Sequence, residues 1–517
     1  MIPSDLRTTL RRNSRRLDRL TTAAAATPRA RPAFGLRWAR AYLPHYFPGP
    51  PADFHAELFE RLSDLHTRRD SKEAVIAPRE GAKSTVITLA YVLFCALERH
   101  EPFALVLSDS AGQAQEQLRH VRHELETNAA LARDYPDAAG VGPVWRQDRI
   151  ELRNGAAVAA LGTGGRIRGR RSRQARPSLV VFDDVENNDT ITSPVKRERA
   201  WRWATREVMP AGTAGTNFLS VGSAIHREAV AVRLGQLPGW TGRTYQAVSR
   251  WPDRMDLWGE WERLATNLAN PDRGATAARF YDANRGAMDA GAATYWPSRW
   301  PLQALMRRRA EIGAAAFDTE YQGVPSAEGL TEFPAAFFDG PDVWFDDWPA
   351  NLVCRVQALD PSKGADARTG DYQAHVLVGL DTRGTLYAEA VLAREPIPLM
   401  IARSLDMADA FGPLDVLVVE DNDALGLLVS AFEDVIRTRG RVVPLRSVTN
   451  TLPKVVRIRR LGLYFARGQV RFRNTRGTRA LVNQLRDFPV AAHDDGPDAL
   501  DLAVRMLELL ATPSRRG

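Results

Sequence analysis

The stretch that most constrains this chain is Glu73-Ala74-Val75-Ile76-Ala77-Pro78-Arg79-Glu80-Gly81-Ala82-Lys83-Ser84-Thr85. An apolar run, Ala74 to Ala77, enters a tight turn that closes on Lys83-Ser84-Thr85, and an apolar helix is expected from about Val86 to Leu97. Strand, turn, Lys-Ser/Thr and helix is the layout of a phosphate-binding loop, where bare backbone N–H groups and the positive helix end hold a triphosphate. In such a loop Lys83 reaches the β- and γ-phosphates and the Ser84 hydroxyl binds Mg²⁺. The usual spacing has glycine where this chain has Ala77 and Ala82, so a plain buried strand-to-helix turn is the competing reading.

A second element supports the first. Pro177-Ser178-Leu179-Val180-Val181-Phe182-Asp183-Asp184-Val185-Glu186 is a short apolar run ending in carboxylates, as a buried parallel strand would. Ligands of open α/β sheets bind at the carboxyl ends of strands. Asp183 is expected to hold Mg²⁺ through water, and Asp184 or Glu186 to polarise the attacking water. The bland alternative is a solvated acidic turn. Between the two lie a further strand, Phe103 to Ser108, an amphipathic helix from about Ala111 to Asn128, and a Gly/Arg loop, Gly162 to Arg171. Arg168 in that loop is a candidate to neutralise charge on a neighbouring subunit's ATP, with DNA-phosphate contact or a plain basic loop as alternatives. The later strand Asn217 to His226 places Ser223 or His226 to sense the γ-phosphate.

The carboxyl-terminal part carries a different pattern. An apolar strand, Val353 to Leu359, ends at Asp360; two strands follow, His375 to Leu380 and Thr385 to Leu392, in the order of an antiparallel meander. A helix is expected from about Pro398 to Phe411, then Val416 to Glu420 forms another strand ending in a carboxylate, and a further strand is expected near Arg441 to Leu445. Asp494, Asp495 and Asp498 open a last helix that runs to about Ala511. If the first and fourth strands are neighbours, Asp360 and Glu420 converge. An all-oxygen site without His or Cys suits Mg²⁺ or Mn²⁺, and two such ions about 4 Å apart can hydrolyse a phosphodiester. Acids on the first strand, fourth strand and last helix follow the order of ribonuclease-H-like nucleases; helix capping is the simpler role for Asp498.

Length and charge agree with this division. The chain has 517 residues, room for two or three domains. A net charge of +8, Arg-rich, favours a polyanionic partner. Two distant cysteines, Cys95 and Cys354, form neither a zinc pattern nor a disulfide framework. No run is apolar and long enough to span a bilayer, so no membrane association is expected. The expected organisation is a basic flexible arm over 1–33, a phosphate-loop (RecA/ASCE-like) α/β ATPase domain over 34–240, a connecting region over 241–349, and a ribonuclease-H-like domain over 350–517.

Such a chain resembles the large terminase subunit of tailed bacteriophages, over about residues 50 to 510. The resemblance rests on Pro78-Arg79-Glu80-Gly81-Ala82-Lys83-Ser84-Thr85, similar to that family's altered phosphate loop, and on Arg168-Gly169 upstream of Asp183-Asp184. Phe317 to Pro325 is similar to its interdomain segment. Arg457-Ile458, Gln484, Phe488, Asp494-Asp495 and Asp498-Ala499 are similar to its nuclease tail. The resemblance implies a motor that packages double-stranded DNA into a procapsid and cuts concatemers. It implies ATP held by Arg79, Glu80, Gly81, Ala82, Lys83, Ser84 and Thr85, with Mg²⁺ at Ser84 and Asp183. Arg79 would be the family's loop arginine, coupling ATP to subunit motion. It implies Mg²⁺ or Mn²⁺ on Asp360, Glu420 and one or more of Asp494, Asp495 and Asp498, with Asp495 favoured. It also implies a homo-oligomeric ring, commonly a pentamer, docked on a portal protein in the host bacterial cytoplasm, with a small terminase subunit choosing the DNA. The departure is Asp183-Asp184 where the family often has Asp-Glu, which leaves the hydrolytic carboxylate open between Asp184 and Glu186. A helicase- or repair-type ATPase-nuclease and a non-catalytic, capsid-associated DNA-binding protein are the rival readings.

Overall fold

The apolar runs Phe103–Ser108 and Leu179–Asp183 are buried along their whole length. Both of their faces are covered, which is why they show no apolar/polar alternation. They form the centre of an eight-stranded sheet. The computed structural model describes residues 31–167, 172, 174–187, 190, 191, 193–325, 332–361, 372–420, 427–489, 491 and 493–511. Its strands in chain order are β1 (Lys72–Ile76), β2 (Phe103–Ser108), β3 (Val144–Trp145), β4 (Arg149–Glu151), β5 (Ala157–Gly162), β6 (Leu179–Asp183), β7 (Asn217–Gly222) and β8 (Thr241–Thr244). Their spatial order is β3-β4-β5-β2-β6-β7-β1-β8. The six strands from β5 to β8 in that order are parallel, and β3 and β4 add an antiparallel edge. One strand, β7, separates the phosphate-loop strand β1 from the acidic strand β6. That is the ASCE arrangement of a phosphate-loop fold, and it brings the carboxyl ends of β1, β6 and β7 to one side of the sheet.

Short strands β9 (Val248–Arg250) and β10 (Ala293–Thr294) follow, and a second sheet takes up the rest of the chain. Its members are β11 (Trp344–Phe345), β12 (Leu352–Asp360), β13 (Gln373–Asp381), β14 (Leu386–Ala393), β15 (Val416–Glu420), β16 (Leu445–Val448) and β17 (Val470–Arg473). Their order is β11-β17-β14-β13-β12-β15-β16. The antiparallel meander β12-β13-β14 is present as expected, and β12 pairs in parallel with β15 through Val356–Leu359 against Val416–Val419. Three antiparallel strands followed by two parallel ones on the far side of the first is the ribonuclease-H-like order. The last helix, Asp495–Ala511, lies over β12 and β13 and buries Leu500, Val504 and Leu507 in a core with Val356, Val376 and Val418. Each such fully buried side chain contributes roughly 1.5–3 kcal/mol by transfer from water.

The described residues divide into two units, one drawn from 31–249, 294–301 and 318–325 and the other from 250–293, 302–317 and 332–511. The stretch 241–349, expected as a connecting region, is therefore distributed between the two. The helix expected over Pro301 to Ala316 is two helices, Leu302–Ile312 and Ala314–Glu320, broken at Gly313, whose φ of 86° ends the first. The strand expected near Arg441 begins only at Leu445, because Pro444 has no N–H to donate and only its carbonyl takes part, accepting from Leu417 N–H. The basic arm falls mainly on residues 1–30, outside the described residues.

His375, on β13, is wholly buried, and among the described residues neither ring nitrogen has a hydrogen-bond partner. Burial, aided by the nearby Arg403 guanidinium and opposed by Glu395, pushes it down to about 4. The unfolded chain protonates this ring near its ordinary 6.5, so the native state has its full advantage above that pH and loses it as pH falls toward 4. The loss amounts to about 3 kcal/mol. Denaturant melts of His375→Leu beside wild type at pH 7 and pH 4 should show the variant losing less stability on acidification by about that amount. Equal losses would contradict the assignment of a buried, neutral imidazole.

Candidate functional site

The first site is built where β1 and β6 end. After β1 the chain turns through Glu80 and Ala82, both in the left-handed region at φ 57°. Ala82 thus takes the backbone shape usually given to glycine, at a cost of about 1–2 kcal/mol. Gly81 between them is packed closely: a Cβ there would stand 3.0 Å from the Pro78 carbonyl oxygen and 3.5 Å from the Phe54 ring. His55, buried on the helix Asp53–Ser63, holds the turn from behind. Its Nδ1 accepts the Ala52 N–H at 3.1 Å, so Nε2 carries the proton and donates to the Gly81 carbonyl at 2.9 Å. Burial pushes this imidazole down to about 4, with the Gly81 contact opposing, so it stays neutral through the physiological range. The helix then opens as a π-turn, Thr85–Tyr91, and continues as Val92–Leu97.

Asp183, at the end of β6, is buried and accepts hydrogen bonds from Ser84 Oγ at 2.8 Å and Thr88 Oγ1 at 2.7 Å. Burial and the neighbouring Asp184 raise its carboxyl to about 6, against the two hydroxyls and Lys83. Lys83 is also buried, its Nζ donating to Ser223 Oγ at 3.2 Å and lying 3.6 Å from Asp184 Oδ2. Asp184 is half-exposed and held in a left-handed turn at φ 45°. A hydroxyl, a buried carboxylate and an ammonium grouped at a strand-to-helix turn have the donor chemistry for a phosphate with its Mg²⁺.

Of the two candidate hydrolytic carboxylates, the structure leaves only Asp184 facing this group. Glu186 turns into the protein, where its Oε2 accepts the Val230 N–H at 2.5 Å. The first N–H groups of the helix Val230–Gly235 lack intrahelical partners, and Glu186 satisfies one of them. Its carboxyl is pushed up to about 7 by burial, with the Val230 N–H, Arg197 and Arg233 opposing. His226 likewise serves its own turn, accepting the Glu228 N–H at Nδ1, whereas Ser223 is the strand-end group beside Lys83. Arg79 lies at the loop's outer side, half-exposed, 3.4 Å from Glu320, and Glu80 lies 3.7 Å from Arg299. Thr85 begins the helix. Arg168 lies outside the described residues. Thr88 and His55 were not singled out in the sequence. Thr88 sits one helical turn after Ser84, a spacing that would have found it; His55 reaches the loop only through the tertiary fold.

The second site lies where β12 and β15 end against the last helix. Asp360, Glu420 and Asp498 each offer a carboxylate oxygen, all within 4.8 Å of one another. Burial and the Glu420 charge hold Asp360 well above the usual carboxylate range, with Lys454 opposing. Asp498 is raised to about 7 by burial, although Arg457 stands 2.6 Å from it. Carboxylates that repel one another in a buried place, without nitrogen or sulfur ligands, fit a hard divalent cation that would relieve both strains. Asp494 and Asp495 stand beside this trio, not within it. Lys454 Nζ lies 2.7 Å from Asp494, 3.4 Å from Asp495 and 3.8 Å from Asp498, and Asp495 accepts the Tyr372 N–H at 3.0 Å. Lys454 is the cation that sequence reasoning missed. It stands about one helical turn before Arg457, and both reach Asp498.

If Asp184 is the hydrolytic carboxylate, Asp184→Asn should slow ATP hydrolysis by about 10²–10⁴, whereas Glu186→Gln should change it little and instead lower the melting temperature. Steady-state phosphate release by both variants decides between them; the reverse ranking would restore Glu186.

No protein-family model matches the chain, and no curated protein matches it by sequence. Solved structures do. The large terminase from a thermophilic bacteriophage is 11% identical over 86% of this chain and 98% of that one, at a TM-score of 0.37. The HK97 bacteriophage large terminase is 13% identical over 88% and 95%, at 0.30. The large terminase nuclease from thermophilic phage G20c, with bound magnesium, is 18% identical over 31% of this chain and 84% of that one, at 0.23. Solved structures to which this chain is similar over most of its length include large terminases of bacteriophages.

Proposed function

We propose that this chain is a phage-type large terminase subunit, an ATP-driven motor that moves double-stranded DNA into a procapsid and cuts concatemeric DNA. One observation carries the reading: a phosphate-loop site and an all-carboxylate cluster are built in one chain, each on the fold suited to its chemistry. In the motor, Lys83 neutralises the β- and γ-phosphates, Ser84 and Asp183 hold Mg²⁺, and Asp184 orients the attacking water and takes its proton. Ser223, hydrogen-bonded to Lys83, is placed to report whether the γ-phosphate is present. Arg79 at the loop's outer side is the residue for coupling ATP to motion of the ring.

In the nuclease, Asp360, Glu420 and Asp498 hold Mg²⁺ or Mn²⁺, with Asp494 and Asp495 available to a second ion. Bound metal supplies an activated water and stabilises the leaving oxygen of a phosphodiester. Arg457 and Lys454 keep Asp498 and its neighbours in place by ion pairing. The proposed assembly is a ring, commonly a pentamer, on a portal protein, with a small terminase subunit, in the host bacterial cytoplasm. Among the described residues no helix is long and apolar enough to cross a membrane.

The two activities should separate by mutation. Lys83→Ala should abolish ATP hydrolysis and keep metal-dependent DNA cleavage; Asp360→Ala should do the reverse. The measurement is phosphate release and plasmid nicking by the purified full chain, with Mg²⁺ and with Mn²⁺. Full retention of both activities in both variants would overturn the site assignments.

A further inference from the structure

Three neighbouring strands end beside the carboxylate cluster, and two of them present groups with no part in metal binding. Asp360 closes β12 opposite Ala374, and Gln373, which opens β13, pairs with Ala393, which closes β14. Tyr372 and Arg394 therefore stand side by side, one step beyond the ladder. A reciprocal pair of hydrogen bonds locks them there. The buried Gln373 side chain donates to the Glu395 carbonyl at 2.6 Å and accepts the Glu395 N–H at 3.0 Å. The Arg394 guanidinium lies 4.1 Å from the Tyr372 ring centroid and 3.5 Å from His493 Nε2, while His493 packs edge-on to Tyr372 at 5.0 Å. Tyr372 in turn gives its N–H to Asp495 at 3.0 Å, which ties the stack to the cluster.

The charge pattern is what needs explaining. Among the described residues Arg394 has no ion pair. The adjacent carboxylate, Glu395, is taken by Arg403 at 2.8 Å, and the nearby Asp494 by Lys454 at 2.7 Å. Arg394 is only partly exposed, and its Nε is buried without a partner. A guanidinium held over an aromatic ring, with one terminal nitrogen steadied by His493 and no carboxylate among the described residues to neutralise it, is preorganised for a phosphate oxyanion. Beside a cluster that handles a phosphodiester, the anion that fits is the next phosphate of the same strand. We propose that Arg394, positioned by Tyr372 and His493, binds a non-scissile backbone phosphate of the DNA strand being cut. This inference rests on the nuclease reading of the Asp360 cluster.

The test uses the full chain and a labelled DNA duplex, with binding measured in Ca²⁺ over a range of salt, cleavage measured in Mn²⁺, and Mn²⁺ binding measured by calorimetry. Arg394→Ala should bind the duplex about tenfold more weakly and reduce the slope of log affinity against log salt by about 1, as for one lost phosphate contact. It should raise KM for cleavage more than it lowers kcat, and leave Mn²⁺ binding and DNA-independent ATP hydrolysis at the wild-type level. Arg394→Lys should recover the salt slope but only part of the affinity, because it keeps the charge and loses the fork. Wild-type affinity and salt slope in Arg394→Ala, alone or with only a lowered melting temperature, would overturn the proposal while Asp360→Ala still abolishes cleavage. If Asp360→Ala cleaves normally, the nuclease reading fails and the Arg394 contact fails with it.

Discussion

Both sites depend on carboxylates brought close together, most of them buried, where parallel strands end. Asp183, Asp360 and Asp498 are held above the ordinary carboxylate range by desolvation and by their carboxylate neighbours, Asp184 in the first site and Glu420 in the second. A fold accepts such repulsion only where the surrounding structure fixes it. In the first site the fixing is done by the Ser84 and Thr88 hydroxyls, which bind the acidic strand to the helix after the phosphate loop. In the second it is done by Arg457 and Lys454, which ion-pair the last helix to the helix Lys454–Arg459. A divalent cation relieves the same repulsion. The repulsion built into each cluster and the cation chemistry it suits are therefore two aspects of a single arrangement.

The cation ladder around the second site extends that argument along two helices. Lys454, Arg457 and Arg460 stand at helical spacing and meet Asp494, Asp498 and Asp501 in turn. Asp501 is wholly buried and is answered by both Arg460 and Arg505. Removing one partner of such a pair would leave the other buried and uncompensated, which is far costlier than the pair itself is stabilising. The ladder thus fixes the register of the last helix, and with it the position of Asp498 at the carboxyl ends of β12 and β15.

Much of this was legible in the sequence because it is carried by continuous signals. Buried parallel strands read as unbroken apolar runs, and the acids that close Leu179–Asp183, Leu352–Asp360 and Val416–Glu420 mark their carboxyl ends. The order of those acids along the chain pointed to the second sheet's topology. What escaped is short or tertiary. Strands of two to four residues, such as Val144–Trp145 and Val470–Arg473, are too brief to show a period. His55 and Lys454 reach their sites from elements with ordinary core or surface patterns. Glu186 was equivalent to Asp184 in the sequence; only the unmet N–H groups that open the helix Val230–Gly235, visible in three dimensions, draw it inward.

The central claim is that one chain holds a nucleotide site at Lys83 and a separate divalent-metal site at Asp360. Crystals soaked with a non-hydrolysable ATP analogue and Mn²⁺, with diffraction recorded at the manganese edge, test it most directly. The account predicts triphosphate density against Lys83 with one manganese beside Ser84 and Asp183, and a second manganese peak among Asp360, Glu420 and Asp498. Triphosphate bound elsewhere, or no manganese peak among the three carboxylates at saturating metal, would contradict it.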